Sequence, residues 1–421
     1  MTWMNSHALG LSLPLWSVLP FAGLLLAIAL LPLLAPWFWA RHYGKVSAAF
    51  GLPVAAWFLF NAPRELLRTG MEYISFLVLL ASLYTISGGI FLRGTIRGTP
   101  GVNCAFLGAG ALLANLLGTT GASMLLIRPL LRANAHRKKT AHVYIFFIFV
   151  VANIGGALTP IGDPPLFLGY LKGVPFFWTV TNLWGCWLAV TGAVIGIFYA
   201  LDLLARRSEE GSEGPGPPPA ETPERARFSV EGGWNFLLLA AVLAAAFLPP
   251  PVRETAMVAA AIVSVWKTPA RIREENGFAY GPIEEVAVLF AGIFAAMIPA
   301  LLILKARGGE IVATQPWHFF WGTGLLSSFL DNAPAYLAFF SLAQGMGGPS
   351  EVAGVSAPFL RAISTGAVFM GACTYIGNAP NFMVRGIVES AGVRMPSFLG
   401  YMACSAAVLL PVFALFTWIF L

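Results

Sequence analysis

Two acidic residues carry most of the chemistry open to this chain of 421 residues. Of its 19 aspartates and glutamates, only Asp163 and Asp331 fall deep within long apolar runs. Asp202, Glu284, Glu285 and Glu389 stand near the ends of such runs, and the others lie in polar segments. A carboxylate in the hydrocarbon layer costs about 2.5–3.5 kcal/mol on insertion scales, so such residues mark ion or substrate pathways. Desolvation favours the neutral acid and a bound cation favours the carboxylate, so protons and cations compete for the group. That competition is the chemistry of coupled transport. The other role open to these acids is an ion pair with Arg128, Arg361 or Arg385 that serves folding alone.

Uncharged oxygen and amide groups cluster in the same stretches. Asn115, Thr119, Thr120 and Ser123 form one group, and Asn153, Thr159 and Gly162 lead into Asp163. Ser327, Ser328 and Asn332 flank Asp331, and Thr374, Gly377, Asn378 and Asn381 follow in a third run. Hard cations take oxygen ligands. The set therefore suits Na+, with Asp163 and Asp331 as charged ligands, and it suits a substrate carboxylate equally well. Ser, Thr and Asn also serve as ordinary glue between membrane helices. Na+ and H+ are the expected transported or coupling ions, and no cofactor is expected.

These groups need broken helices to bring them together. Thr159-Pro160 and Gly162-Asp163-Pro164-Pro165 interrupt an apolar run near 141–170. Proline lacks the amide donor and its ring clashes with the preceding turn. In a membrane the freed backbone groups must find protein, ions or water, and half-helix ends then face an ion or an anion. A second broken helix is expected near 358–390. Two further runs, about 102–127 and 316–342, are interrupted at GTTG (Gly118–Gly121) and DNAP (Asp331–Pro334), and read as re-entrant hairpins.

The interruptions belong to an internal repeat. GALTPIGDPP (Gly156–Pro165) and GACTYIGNAP (Gly371–Pro380) share Gly-Ala-x-Thr-x-Ile-Gly and a final Pro at an offset of 215. LLGTTGAS (Leu116–Ser123) falls on FLDNAPAY (Phe329–Tyr336) at 213, and GGIF (Gly88–Phe91) on AGIF (Ala291–Phe294) at 203. The loop after the first hairpin holds five basic residues and the loop after the second holds none, which places the two on opposite sides of the membrane. The expected organisation is a first inverted repeat over 1–205, a flexible cytoplasmic linker over 206–233 rich in Pro, Gly and Glu, and a second repeat over 234–421. Other spans are expected near 13–35, 46–62, 72–93, 176–204, 234–250, 254–266, 284–304 and 397–421.

Composition agrees with that architecture. Charged residues make up 10% of the chain and apolar residues 58%, with a mean hydropathy of +0.76; soluble domains are about a quarter charged. The fold class is therefore an all-α polytopic membrane protein, which excludes a cytosolic enzyme, a nucleic-acid binder and a disordered chain. The net charge of +6 follows from threading. With the N-terminus outside and the loop 41–45 and the linker cytoplasmic, 18 of 25 basic residues face inward. The expected location is the plasma (inner) membrane, with lipids and a small ion or anion as partners. Cys104, Cys186, Cys373 and Cys404 lie in apolar stretches without a CxxC pair, and the five histidines form no HExxH pair. The Pro-Ile-Gly-Asp and Phe-Leu-Asp contexts differ from the Gly-x-Gly-Asp and Tyr-Asp of an intramembrane aspartyl protease, so no enzyme is expected.

NIGGALTPIGDPP (Asn153–Pro165) and SSFLDNAPAYL (Ser327–Leu337) resemble the signature stretches of the ion transporter superfamily, above all D-type Na+/H+ antiporters and citrate transporters of the CitMHS type. The resemblance implies two inverted repeats, a homodimer and elevator-like movement of a hairpin domain. The antiporter SPIGD maps onto Thr159–Asp163 and DNxP onto Asp331–Pro334. Gly118-Thr119 stand where the antiporter pattern has Asp-Asn, and the Ser-Asn-Thr signature of dicarboxylate carriers is not intact in either hairpin. The first reading is a Na+/H+ antiporter using Asp331, Asp163, Asn332, Thr159 and Thr374. The second is a Na+- or H+-coupled citrate or dicarboxylate carrier.

Overall fold

The computed structural model describes residues 6–94, 96–210, 229–310, 315–347 and 352–421. The chain is an all-α polytopic membrane protein. Seven helices are long and apolar enough to cross a bilayer, and an eighth span is the pair Gly281–Ala296 and Ile298–Glu310, bent by 44°.

Proline sets several of the helix starts. The helices Pro36–Asn61 and Pro63–Ser87 both begin at a proline preceded by an alanine in nearly the same non-helical conformation, φ −144° and ψ 62° at Ala35, φ −148° and ψ 60° at Ala62. Proline suits the first helical position, and it forces the preceding residue out of the helical region. This corrects the loop expected at 41–45: the turn is at Ala35, and Arg41 and Lys45 lie within the helix that follows. The span expected from 72 likewise begins at Pro63.

Both interrupted segments are hairpins. The first runs as helix Pro100–Asn134 with a break at Gly118, φ 74° and ψ 156°. A straight helix would separate Asn103 and Asn134 by about 46 Å, yet their side chains exchange hydrogen bonds of 3.1 and 2.8 Å. Gly98 N donates to Ala133 O at 2.7 Å, closing the same end. The second hairpin pairs Pro316–Phe329 with Asn332–Gly345, and the rings of Phe319 and Phe339 stack edge to face at 5.9 Å.

Two other elements differ from expectation. Short strands Phe91–Arg93 and Ser229–Glu231 pair antiparallel, held by ion pairs from Arg93 and Arg271 to Glu231. The helix Trp178–Glu210 also runs past 206. The linker expected over 206–233 is thus narrowed at both edges, and its centre, 211–228, lies outside the described residues.

The helices Pro36–Asn61, Pro63–Ser87, Val252–Lys267 and Gly281–Ala296 pack together, and Pro63–Ser87 and Gly281–Ala296 among them face the hairpin tips. Ser47 Oγ donates to Val288 O at 2.8 Å, Tyr73 Oη to Ala287 O at 2.9 Å, and Phe76 stacks on Phe290 at 4.9 Å. A Cβ on Gly51 would stand 2.9 Å from the Gly292 Cα, whereas one on Gly70 meets nothing within 4 Å. Overpacking of this kind costs about 1–3 kcal/mol. Gly51→Leu should therefore lower the melting temperature in detergent by several degrees while Gly70→Ala leaves it unchanged; equal behaviour of the two variants would contradict the close crossing.

Candidate functional site

The two broken helices have the same local construction. In the first, helix Ala141–Val150 gives way to a 3-10 turn, Ile154–Leu158, then extended Thr159 (φ −132°, ψ 155°) and Asp163 (φ −144°, ψ 142°) before helix Pro164–Leu171. In the second, Ala357–Met370 leads through Gly371–Cys373 to extended Thr374 (φ −136°, ψ 167°) and Asn378 (φ −155°, ψ 143°) before Ala379–Ser390. The repeated Gly-Ala-x-Thr-x-Ile-Gly is the sequence of this shape. Its last glycine, Gly162 or Gly377, is required because a Cβ there would run into the carbonyl of Gly156 or Gly371.

Each broken helix is strapped to a hairpin by the same threonine. Thr159 Oγ1 donates to Asn115 O at 2.6 Å and accepts from Gly162 N at 3.1 Å. Thr374 Oγ1 donates to Ser328 O and accepts from Gly377 N at 3.2 Å. Asn115 and Ser328 are repeat-related, so the strap is repeated with its partner. The freed carbonyls are satisfied differently in the two halves. Asn115 Nδ2 and Trp187 Nε1 donate to Gly155 O in the first, whereas Asn381 Nδ2 donates to Gly371 O and Thr374 O in the second. Asn153 Nδ2 joins the two breaks by donating to Asn381 Oδ1 at 2.7 Å.

At the centre lies Asp163, fully buried. Its Oδ1 accepts from Thr119 Oγ1 and from Asn378 Nδ2, each at 3.0 Å, and its Oδ2 accepts from Asn332 Nδ2 at 2.5 Å. One carboxylate thus joins the first hairpin, the second hairpin and the second broken helix. Hydrogen bonds to charged groups contribute about 1.5–3 kcal/mol each. Asn332 Oδ1 is buried and has no partner, which leaves one acceptor beside the acid. Ser123 Oγ is likewise unpartnered, while Ser327 Oγ donates to Ala367 O. Asp331 is less enclosed. It caps its own helix by accepting from Ala333 N at 3.1 Å, and its side chain contributes to a cavity of ≈ 80 Å³.

That cavity lies between the hairpin body and the packed helices. Thr119, Thr120, Gly162, Asp331 and Asn378 form one wall, and Phe76, Leu83, Tyr84, Pro282, Ile283 and Phe290 the other. Its volume is several times the roughly 10–15 Å³ a single water needs. Among the described residues no lysine, arginine or histidine lines it. The arginines considered as ion-pair partners are engaged elsewhere or stand apart: Arg128 Nε donates to Asn276 O at 2.9 Å and Arg385 pairs with Glu389 at 3.0 Å.

The expected site residues therefore divide into three groups. Thr119, Asn332 and Asn378 each bond Asp163. Thr120 and Asp331 face the cavity. Asn115, Thr159, Gly162, Ser328, Thr374 and Gly377 hold the breaks and tips in place. The apolar wall was not expected, since Phe and Leu in a membrane helix carry no distinguishing signal. Asp202, read as peripheral, is fully buried, with Arg137 Nη1 at 2.5 Å, His142 Nε2 at 2.8 Å and Asn103 Nδ2 at 2.9 Å.

Two hairpins meeting two broken helices inside an apolar chain are the architecture of a secondary transporter. The CitMHS_2 family, described as "Putative citrate transport", matches residues 10–421, and the chain belongs to it. No curated relative matches the chain. The family favours transport of the citrate type over the Na+/H+ exchange that the two aspartates first suggested.

Equivalent straps should be equally sensitive. Thr159→Val and Thr374→Val each remove one hydroxyl bonded on both sides, and each should cost about 1–3 kcal/mol. Thermal unfolding of the two variants in one detergent checks this. A loss confined to one half would show that the straps are not equivalent.

Proposed function

We propose that the chain carries citrate or a related carboxylate together with a cation, by alternating access. The observation behind this reading is the charge of the cavity wall: Asp331, the amide of Asn378 and the hydroxyls of Thr119 and Thr120, with the carboxylate of Asp163 bonded just behind Thr119 and Asn378, and no basic side chain among the described residues. A polycarboxylate alone would meet like charge there. A cation between Asp331 and the substrate removes that repulsion and makes the two bind as a unit. No group of three or more His, Cys, Asp or Glu side chains is placed among the described residues to hold a metal ion. The substrate's own oxygens then complete the cation's ligand set.

In this reading Asp331 and Thr120 meet the cargo, and Asn332 Oδ1 offers a further acceptor. Asp163 holds Thr119, Asn332 and Asn378 in register. Na+ and H+ are the coupling ions we favour. The hairpins and broken helices move as a body past the wall formed by Phe76, Leu83 and Phe290, whose side chains offer no hydrogen bond that would resist sliding. With the basic loops in the cytoplasm, as their charge suggests, the wall would occupy the cytoplasmic halves of its two helices.

The test is uptake of labelled citrate into proteoliposomes under an imposed Na+ or pH gradient, with divalent cations added or chelated. Uptake should require a cation, and Asp331→Asn should lower it about 10–100-fold, the equivalent of one charged contact. Na+-driven proton movement without citrate accumulation would replace this reading with Na+/H+ exchange.

A further inference from the structure

The hairpin body meets the packed helices along a seam, apolar beside the transport cavity and polar at the far end of the first broken helix. There Lys172, which follows helix Pro164–Leu171, donates to the two carboxylate oxygens of Glu72 at 2.8 and 2.7 Å. Glu72 belongs to helix Pro63–Ser87, which also supplies Phe76 and Leu83 to the cavity wall. Tyr170 Oη donates to Ala246 O at 2.6 Å, just past helix Asn235–Ala245. Each contact ties a residue of the first broken helix to the packed helices across the seam.

Around these ties the seam is loose. A crevice of ≈ 560 Å³ has Tyr170, Gly173 and Pro175 on one side and Phe247, Pro250 and Arg253 on the other. Phe247 meets Phe176 with ring centroids 4.6 Å apart, an apolar contact that adds no directed bond. The Lys172 and Glu72 side chains are 16% and 12% exposed, so their attraction is screened less than that of a surface pair. Arg68 Nε also lies 3.4 Å from Glu72 Oε1, but on the same helix, so it does not cross the seam.

The tie belongs to one half of the repeat. At the offset of 215, Lys172 falls on Ile387 and Tyr170 on Arg385, which pairs with Glu389 on its own helix. Inverted repeats reach opposite end states when their halves exchange arrangements. A contact made by both halves survives that exchange, whereas a contact made by one half favours one state.

We propose that the Lys172–Glu72 pair, supported by the Tyr170–Ala246 bond, is a latch that holds the hairpin body in the conformation seen here. It rests on the movement of the body past its wall, and it names the contact that sets the resting state.

Double electron–electron resonance on the full-length protein in nanodiscs tests this. Spin labels are placed at Leu188→Cys on helix Trp178–Glu210 and Trp266→Cys on helix Val252–Lys267, both exposed positions, with the four native cysteines replaced by alanine. Lys172→Met and Glu72→Gln should each raise the population of a second label distance, relative to the first, about fivefold, the weight of one good ion pair. The charge-swapped Lys172→Glu/Glu72→Lys protein should return the ratio toward the wild type. Arg68→Gln, whose pairing stays within the wall, should leave it unchanged. If the wild-type distances respond to Na+ and citrate but the folded Lys172→Met and Glu72→Gln variants keep the wild-type ratio, the latch is overturned and the movement stands. A single distance in every protein, with and without Na+ and citrate, would overturn the movement and the latch with it.

Discussion

The structure depends on one buried carboxylate without a counter-ion. Asp163 accepts three hydrogen bonds from three separate segments, and each donor is neutral. An isolated charge in a low-dielectric interior is unfavourable. The donors offset that only while both hairpin tips and the second broken helix stay in place around it. Displacing Thr119, Asn332 or Asn378 exposes the acid to a loss that the other two cannot make good. A stable hairpin body and a sensitivity to the position of its tips therefore come from the same interaction.

The repeat explains how this geometry arises and where it departs from symmetry. Thr159 and Thr374 make equivalent straps, and Gly162 and Gly377 make equivalent close approaches. The acids do not repeat. Asp163 corresponds to Asn378, and Asp331 corresponds to Gly118, so each half contributes its carboxylate from a different element. Two acids at fully equivalent positions would face each other across the same pair of elements. The exchange gives one acid that is fully bonded and one that faces the cavity.

Much of this was legible in the sequence because prolines, glycines and offsets are strong local signals. Pro160, Pro164 and Pro165 mark the first break, and the shared Gly-Ala-x-Thr-x-Ile-Gly carries its shape to the second. Gly118 marks a hairpin tip through a backbone conformation that side chains resist. Features that depend on distant segments were not legible. Asp202 stands near the end of a span, and only the approach of Arg137, His142 and Asn103 encloses it. The turn at Ala35 was hidden because Arg41 and Lys45 look like a loop, yet a helix end at a membrane surface accommodates the same residues. The apolar cavity wall resembles every lipid-facing stretch until packing selects it.

The contrast between the two acids assigns them different work on the proposed reading. Asp163 has its oxygens taken by neutral donors, so a cation that reached it would have to displace an existing bond. Asp331 holds a single backbone amide and faces the cavity, so it can take a cation without breaking the frame. Asn332 is next to Asp331 in the chain and bonded to Asp163 in space, with an unpaired oxygen on the same amide. A cation drawn toward Asp331 that also engaged this oxygen would pull on the bond that secures the second hairpin tip to Asp163. Cargo binding and tip position are thereby linked through one side chain, the kind of coupling that alternating access requires.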